Sequence, residues 1–279
     1  MQECGARVRW CWMTERKFLQ VFRKKKEKTI GLALGSGGAK GMAHLGALQA
    51  FAENGIVFDV FAGTSAGAIV GALSARGYSS QDIVGLMTGS AYGGAVIGAM
   101  LKGSLEPVVP VVDDALGGCD ISELEKPFCA IVTKVSDGTQ RVLTEGNAAR
   151  AVLASSSMPP LFQGLEIDGE KYADGAFCNA IPGDAARMLG ADLVIGIALS
   201  PAESYRETQF IAADGGRKTI HQTGFEKCDI LLEPDLKDFK AIDIQYGAQM
   251  YDIGYACAQD RMGEILRAIH GGKAKQAAH

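Results

Sequence analysis

The sequence predicts an α/β protein built on a mainly parallel sheet, and three observations predict it. Between Thr29 and Gly77, two short apolar runs each enter a glycine cluster and then a segment of helical spacing. Strand–helix–strand–helix alternation of this kind folds as right-handed parallel units. Glycine is also in local excess. Thirty-six glycines among 279 residues is nearly twice the usual ~7%, and 17 of them fall between Gly31 and Gly103. With only 8 prolines and no Gly-X-Y period, collagen-like and low-complexity readings fail. Glycine belongs where backbone turns sharply or approaches something closely. Finally, 47% of residues are apolar and 22% charged, the composition of a folded domain able to bury its own core.

The elements follow in order. Residues 30–34 (IGLAL) read as a buried strand running into glycine. Residues 41–54 place Leu45, Leu48 and Phe51 on one helical face, with Gly55 as the stop. A second apolar run, 57–62, precedes a helix over 66–76 that ends at Gly77. Residues 129–133 and 140–144 read as strands around an Asp137-Gly138 turn, 147–155 as a helix, and 165–173 as a hairpin turning at Asp168-Gly169. A helix over 183–189, a strongly apolar strand over 193–198 and a long closing helix over 246–269 complete the pattern. Weak periodicity over 201–228 predicts surface loop. The longest charge-free run, 83–101, contains five glycines and makes a poor spanning helix; it reads either as an apolar flap or as ordinary core and loop. Glycines inside helices, such as Gly46 and Gly71, are expected to pack closely on the sheet. No repeat or linker divides 29–279, which is read as one domain.

Charge is uneven. Residues 1–29 carry nine Lys/Arg against three Glu, or +6, leaving −10 for the rest. A basic leader over 1–28 on an acidic body suggests contact with an anionic membrane surface through residues 7–28; the alternative is a flexible tail, with Met13 as the true start. The acidic body argues against nucleic-acid binding. Seven cysteines without a C-x-x-C pair fit free thiols in a reducing compartment rather than disulfides or a zinc site. With no secretory pattern in the leader, a cytoplasmic location is expected, peripheral to the membrane's inner face if the leader binds there. No cofactor or metal is implied, and the oligomeric state stays open.

Three segments carry chemistry. Gly63-Thr64-Ser65-Ala66-Gly67 is a G-x-S-x-G pattern between an expected strand and an expected helix, the setting of a nucleophile elbow; the bland reading is a glycine-rich turn with a capping serine. Gly35-Ser36-Gly37-Gly38-Ala39-Lys40-Gly41 lies between the first strand and helix, where successive N–H groups make an anion nest. It misses a Walker A loop, because Lys40 precedes Gly41 rather than Ser or Thr. It misses a dinucleotide fingerprint, because position 40 is not glycine. An oxyanion site is the remaining use. Asp174-Gly175-Ala176 follows a short strand and, alone, would be a simple turn.

Together these segments resemble the patatin-like phospholipase family. The resemblance includes Gly37 to Gly41 with the basic Lys40, the elbow Gly63 to Gly67, Asp174-Gly175-Ala176, the run Ala154-Ser155-Ser156-Ser157-Met158-Pro159 with Phe162, and Asn179 with Pro182. It extends from about residue 29 to 199 in the family's order. It implies a three-layer α/β/α fold with a mainly parallel central sheet and a Ser–Asp dyad: Ser65 as nucleophile, Asp174 as base, and the amides of Gly37 and Gly38 as oxyanion hole. The implied substrates are ester bonds of phospholipids or lysophospholipids. Ser36 stands where the family's loop usually has its first glycine. Lys40 either positions a substrate phosphate or covers the helix start.

Two other readings stay open on the sequence alone. The order Ser65, Asp174, His221 also suits a Ser-His-Asp esterase or thioesterase of α/β-hydrolase type, although His221 lies in a polar stretch; His44 reads as a helix-face or packing residue. The same glycine loops would also serve a non-catalytic anion- or nucleotide-binding protein.

Overall fold

The computed structural model describes residues 28–271; the expectations for the basic leader and for Met13 lie outside the described residues. Its centre is an eight-stranded sheet. Strands β1 (Ile30–Leu34), β2 (Val60–Thr64) and β3 (Phe128–Lys134) are joined by β4 (Gln140–Leu143), β5 (Leu165–Ile167), β6 (Glu170–Asp174) and β7 (Leu193–Ile197). A hairpin of β8 (Glu207–Ile211) and β9 (Arg217–His221) stands apart, and β10 (Ile230–Leu232) completes the main sheet. In space the order is β10-β7-β1-β2-β3-β6-β5, with β4 also on β3. The run from β10 to β3 is parallel, whereas β4, β5 and β6 pair antiparallel.

Alternation along the strands makes the three layers. Leu32, Leu34, Phe61, Phe128, Ala130 and Val132 face one core together with helices α1 (Met42–Glu53), α2 (Ala66–Ala75) and α6 (Ala148–Ser155) and the long α8 (Gly247–His270). Ala33, Val60, Ala62, Cys129 and Ile131 face the other, against the short α7 (Gly183–Met188). A parallel sheet must be covered on both faces, which is why the five residues of β1 and of β2 are all buried.

The register around β3 sets up the site. Residues 128–131 of β3 pair with β2, and residues 132–134 pair with β6. Because β4 spans 130–133 on the opposite edge, β2 and β6 share one edge of β3 end to end. Thr64 lies beside Ile131 and Asp174 beside Val132. The C-terminal ends of two strands, 109 residues apart in sequence where Ser65 meets Asp174, therefore converge.

Three expectations need correction. Residues 201–228 are not simply loop but include the β8–β9 hairpin, turning near Asp214-Gly215-Gly216 with Gly215 at φ 82°. β8 turns Thr208 and Phe210 inward but leaves Ile211 exposed, so its apolar residues do not alternate and the period-two signal is lost. Residues 83–101 fall mostly in two helices, α3 (Ser80–Thr88) and α4 (Ser90–Lys102), bent by 54°. The break is Gly89, which takes extended backbone, and Ser79 and Asp82 form a capping box that starts α3. Gly46 packs against α8 rather than the sheet: a Cβ there would strike the carbonyl of Tyr251. Between α4 and β3 lies α5 (Val109–Leu116). Among the described residues no single helix is long and apolar enough to cross a membrane.

Candidate active site

Ser65 sits at the end of β2 with φ 57° and ψ −124°, a conformation that non-glycine residues rarely take and that structures hold only where the surroundings enforce it. Small neighbours enforce it here. A Cβ on Gly67 would collide with the carbonyl of Leu34, and one on Gly63 would come 2.5 Å from Ala68 Cα. The elbow therefore lies flat on the end of β1, with α2 beginning at Ala66. The Ser65 carbonyl accepts from Ala68 N–H at 2.8 Å, while its hydroxyl makes no cap to the helix.

That hydroxyl donates instead to Asp174 Oδ2 at 2.7 Å. The other oxygen, Oδ1, accepts from the Ala176 N–H at 2.8 Å, since Asp174 caps the 3-10 turn Gly175–Phe177. The Asp174 backbone is held on both sides: its N–H donates to the Ser157 carbonyl at 2.9 Å, and its carbonyl accepts from Thr133 Oγ1 at 2.8 Å. Asp174 is 1% exposed and Ser65 6%. Burial disfavours the charged carboxylate and raises the Asp174 pKa from 3.8 to about 7, with the Ala176 N–H and the Ser65 hydroxyl pulling the other way. A carboxylate near 7 is suited to accept a proton at neutral pH.

Ser155 is a positioning residue whose role sequence reasoning missed. Its Oγ accepts the Ser65 N–H at 2.8 Å and donates to the Ile131 carbonyl at 2.6 Å. Ser155→Ala leaves the N–H of the strained residue buried and unpaired, so a loss of about 1–3 kcal/mol in unfolding free energy is expected, measured by urea titration. A change below about 0.5 kcal/mol would show that the bond does not support the elbow.

The glycine loop lies beside the elbow, because Gly67 packs on the Leu34 and Gly35 carbonyls. Its amides divide into two sets. Gly35 N–H donates to the Ile197 carbonyl at 3.0 Å, Ser36 to Ala180 at 2.9 Å, Ala39 to Ala241 at 2.7 Å and Lys40 to Gly37 at 3.2 Å. The N–H groups of Gly37 and Gly38 make no such backbone bond among the described residues. Both positions need glycine: a Cβ on Gly37 would lie 2.6 Å from Leu199 Cδ1, and Gly38 has φ 57° with the Ala241 carbonyl against it. Ser36 is buried, with its amide on the Ala180 carbonyl.

His44 does more than pack. Its Nε2 lies 2.8 Å from the Gly35 carbonyl, to which the neutral ring donates; Nδ1 is buried without a partner among the described residues. Burial lowers its pKa to about 4. His221 lies on β9 with a 71% exposed side chain, 3.8 Å from the Glu207 carboxylate, and is not brought to Ser65 or Asp174. The Lys40 ammonium, half-buried, has no hydrogen bond or ion pair among the described residues. Among the same residues no group of three His, Cys, Asp or Glu side chains is placed to hold a metal.

A serine on a strained strand-to-helix elbow, touching a buried carboxylate where two strands of a mainly parallel central sheet converge, defines an α/β class of protein with a candidate nucleophile. Comparison with known proteins narrows this class. The sequence model described as patatin-like phospholipase matches residues 32–91 and 103–187. Patatin-like phospholipase domain-containing protein 7 of Mus musculus is 34% identical over 198 residues, covering 64% of this chain and 14% of that protein. Lysophospholipase NTE1 of Saccharomyces cerevisiae is 31% identical over 195 residues, covering 67% of this chain and 12% of that protein. The chain thus spans a small fraction of these relatives' length. VipD from Legionella pneumophila has a similar fold, with a TM-score of 0.55 at 16% identity over 85% of this chain and 67% of VipD. The chain belongs to the patatin-like phospholipase family, whose members include hydrolases of lipid esters.

Proposed function

We propose that the protein is a serine lipid acyl hydrolase, cleaving carboxylic ester bonds of phospholipids or lysophospholipids through a Ser65–Asp174 dyad. The observation that carries the reading is the 2.7 Å hydrogen bond from Ser65 Oγ to a carboxylate raised to about 7. An Asp of ordinary pKa is a poor base for a hydroxyl; a buried one close to neutrality is better matched. Near-complete exclusion of water strengthens each electrostatic contact in the site.

In the first step Ser65 Oγ attacks the ester carbonyl carbon and its proton passes to Asp174 Oδ2. The carbonyl oxygen becomes an oxyanion that accepts from the N–H groups of Gly37 and Gly38; one such donor is typically worth ~3–4 kcal/mol. Collapse expels the alcohol, which takes the proton from Asp174, and leaves an acyl-Ser65. Water then attacks the acyl carbon, Asp174 accepts its proton and returns it to Ser65 as the carboxylic acid departs. No histidine is required. The yeast relative's name, lysophospholipase, supports lysophospholipids as first substrates to test.

A fluorophosphonate probe is expected to label Ser65 in the wild type and nothing in Ser65→Ala, read by intact mass and peptide mapping. His221→Ala is expected to keep kcat/KM within about twofold, since an exposed side chain with no bond to Ser65 or Asp174 supplies no transition-state contact. Full loss in that variant would replace the dyad with a triad. Absence of labelling, together with thermal stabilisation by nucleotides, would favour the non-catalytic reading instead.

A further inference from the structure

We propose that Gln222 is a positioning residue for this reaction, tying the turn after Asp174 to the glycine loop; the proposal rests on the Ser–Asp reading above. Gln222 directly follows β9 and is 3% exposed. Its Oε1 accepts the Ala180 N–H at 2.7 Å, and its Nε2 donates to the Ala176 carbonyl at 2.8 Å. A primary amide matches one peptide acceptor and one peptide donor in a single plane.

The groups it meets are each one residue's breadth from the proposed chemistry. Ala176 offers its carbonyl to Gln222 and its N–H to Asp174 Oδ1. Ala180 offers its N–H to Gln222, and its carbonyl accepts the Ser36 N–H of the glycine loop. Between them, the Asn179 carbonyl accepts from Thr64 Oγ1 at 2.7 Å, next to Ser65. The 175–180 segment thus meets all three parts of the site, and Gln222 holds it at both ends.

The rest of the hairpin reinforces the grip. Thr208 Oγ1 donates to the Phe177 carbonyl at 2.5 Å and accepts from Gln222 Nε2 at 3.3 Å. The Phe210 ring packs edge-on against Phe177 with centroids 5.3 Å apart. Thr208, Phe210 and Gln222 lie beyond the 32–91 and 103–187 spans that match the family, so the brace on the 175–180 segment is supplied by chain outside the matched core. The Gln222 amide itself is satisfied at both ends, and a satisfied buried amide fixes one arrangement more firmly than apolar packing does.

The test compares Gln222→Met, which keeps volume and removes both bonds, with Gln222→Glu, whose buried protonated carboxyl keeps one acceptor and one donor. Each is assayed on a lysophospholipid and for fluorophosphonate labelling rate at a temperature where thermal melting shows it folded. Gln222→Met should lose about tenfold to a hundredfold in kcat, the scale of a misplacement near 1 Å, with KM within about twofold. Labelling should slow by the same factor, and Gln222→Glu should recover most of the loss. Thr208→Val, which loosens the same grip more gently, should lose severalfold in kcat and gives the answer if Gln222→Met does not fold. A folded Met or Val variant with wild-type kcat, a loss confined to KM, or a Glu variant no better than Met overturns the proposal. Failure of the wild type to react with either reagent instead overturns the Ser–Asp reading itself.

Discussion

Ser65→Ala is expected to leave a folded protein in which the proposed hydrolysis of lipid esters falls by about a millionfold in kcat, the loss that follows removal of a serine nucleophile. The fold survives because the Ser65 side chain makes one hydrogen bond, to Asp174, and alanine takes the same backbone with no greater strain than serine. The stranded carboxylate is not left charged in the core: with its hydroxyl donor gone, its pKa rises further and it holds a proton. Turnover of a fluorescent lysophospholipid, paired with circular dichroism to verify folding, measures this. A folded variant with more than about a hundredth of the wild-type rate would remove Ser65 as nucleophile, because an oxyanion site alone leaves far less than that.

Asp174→Asn has two opposite effects. It removes the proposed base, so kcat is expected to fall by roughly 10²- to 10⁴-fold, the usual contribution of a positioned base. It also stabilises the protein above neutral pH. The folded Asp174 holds its proton up to about 7, whereas the ordinary value is 3.8. Between those values the unfolded chain ionises and the folded one does not, so stability declines as pH rises from about 4 to 7 and then levels off at its lower value. A tenfold change in proton affinity corresponds to about 1.4 kcal/mol, which places the deficit on the order of 4 kcal/mol at pH 8. Asparagine cannot ionise, so it escapes the deficit while its oxygen still accepts the Ala176 N–H and its amide faces Ser65 Oγ. Thermal melts should show the variant about 10 °C more stable at pH 8, with the gap shrinking below about 1 kcal/mol near pH 4. Equal melting temperatures at pH 8, or the same gap at both pH values, would contradict a carboxylate strained by burial. Wild-type kcat should correspondingly rise as pH passes upward through about 7.

The parts of the fold punctuated by glycine were legible in the sequence. The β1 loop, the Ser65 elbow and the Asp174 turn each carry their own backbone signal, because Gly38, Gly63 and Gly67 answer to local contacts that no other residue tolerates. The β8–β9 hairpin was not legible, although Asp214-Gly215 marks its turn. Its strands lie apart from the main sheet and bury little beyond Phe210 and Gln222. The break at Gly89 divides one apolar run into α3 and α4, which composition alone does not distinguish from a flap. Among the site residues, Ser65 and Asp174 stand in recognisable patterns. Ser155 and Gln222 act through tertiary contacts: Ser155 reaches the Ser65 amide across 90 residues of sequence, and Gln222 reaches Ala176 across 46. No spacing rule connects residues that far apart.

The shared edge of β3 has a consequence for how mispairing would be reported. Thr64 and Asp174 lie beside the successive residues Ile131 and Val132 of β3, so the distance between the Ser65 hydroxyl and the carboxylate is measured out by that strand's own repeat. The smallest slip of β6 that keeps its buried side chains facing inward is two residues, which carries Asp174 by roughly 7 Å. No rotamer change spans that displacement. On the proposed dyad, catalytic competence becomes a digital readout of sheet registration, and the fluorophosphonate-reactive fraction is expected to count the molecules whose central strand has paired correctly with both neighbours.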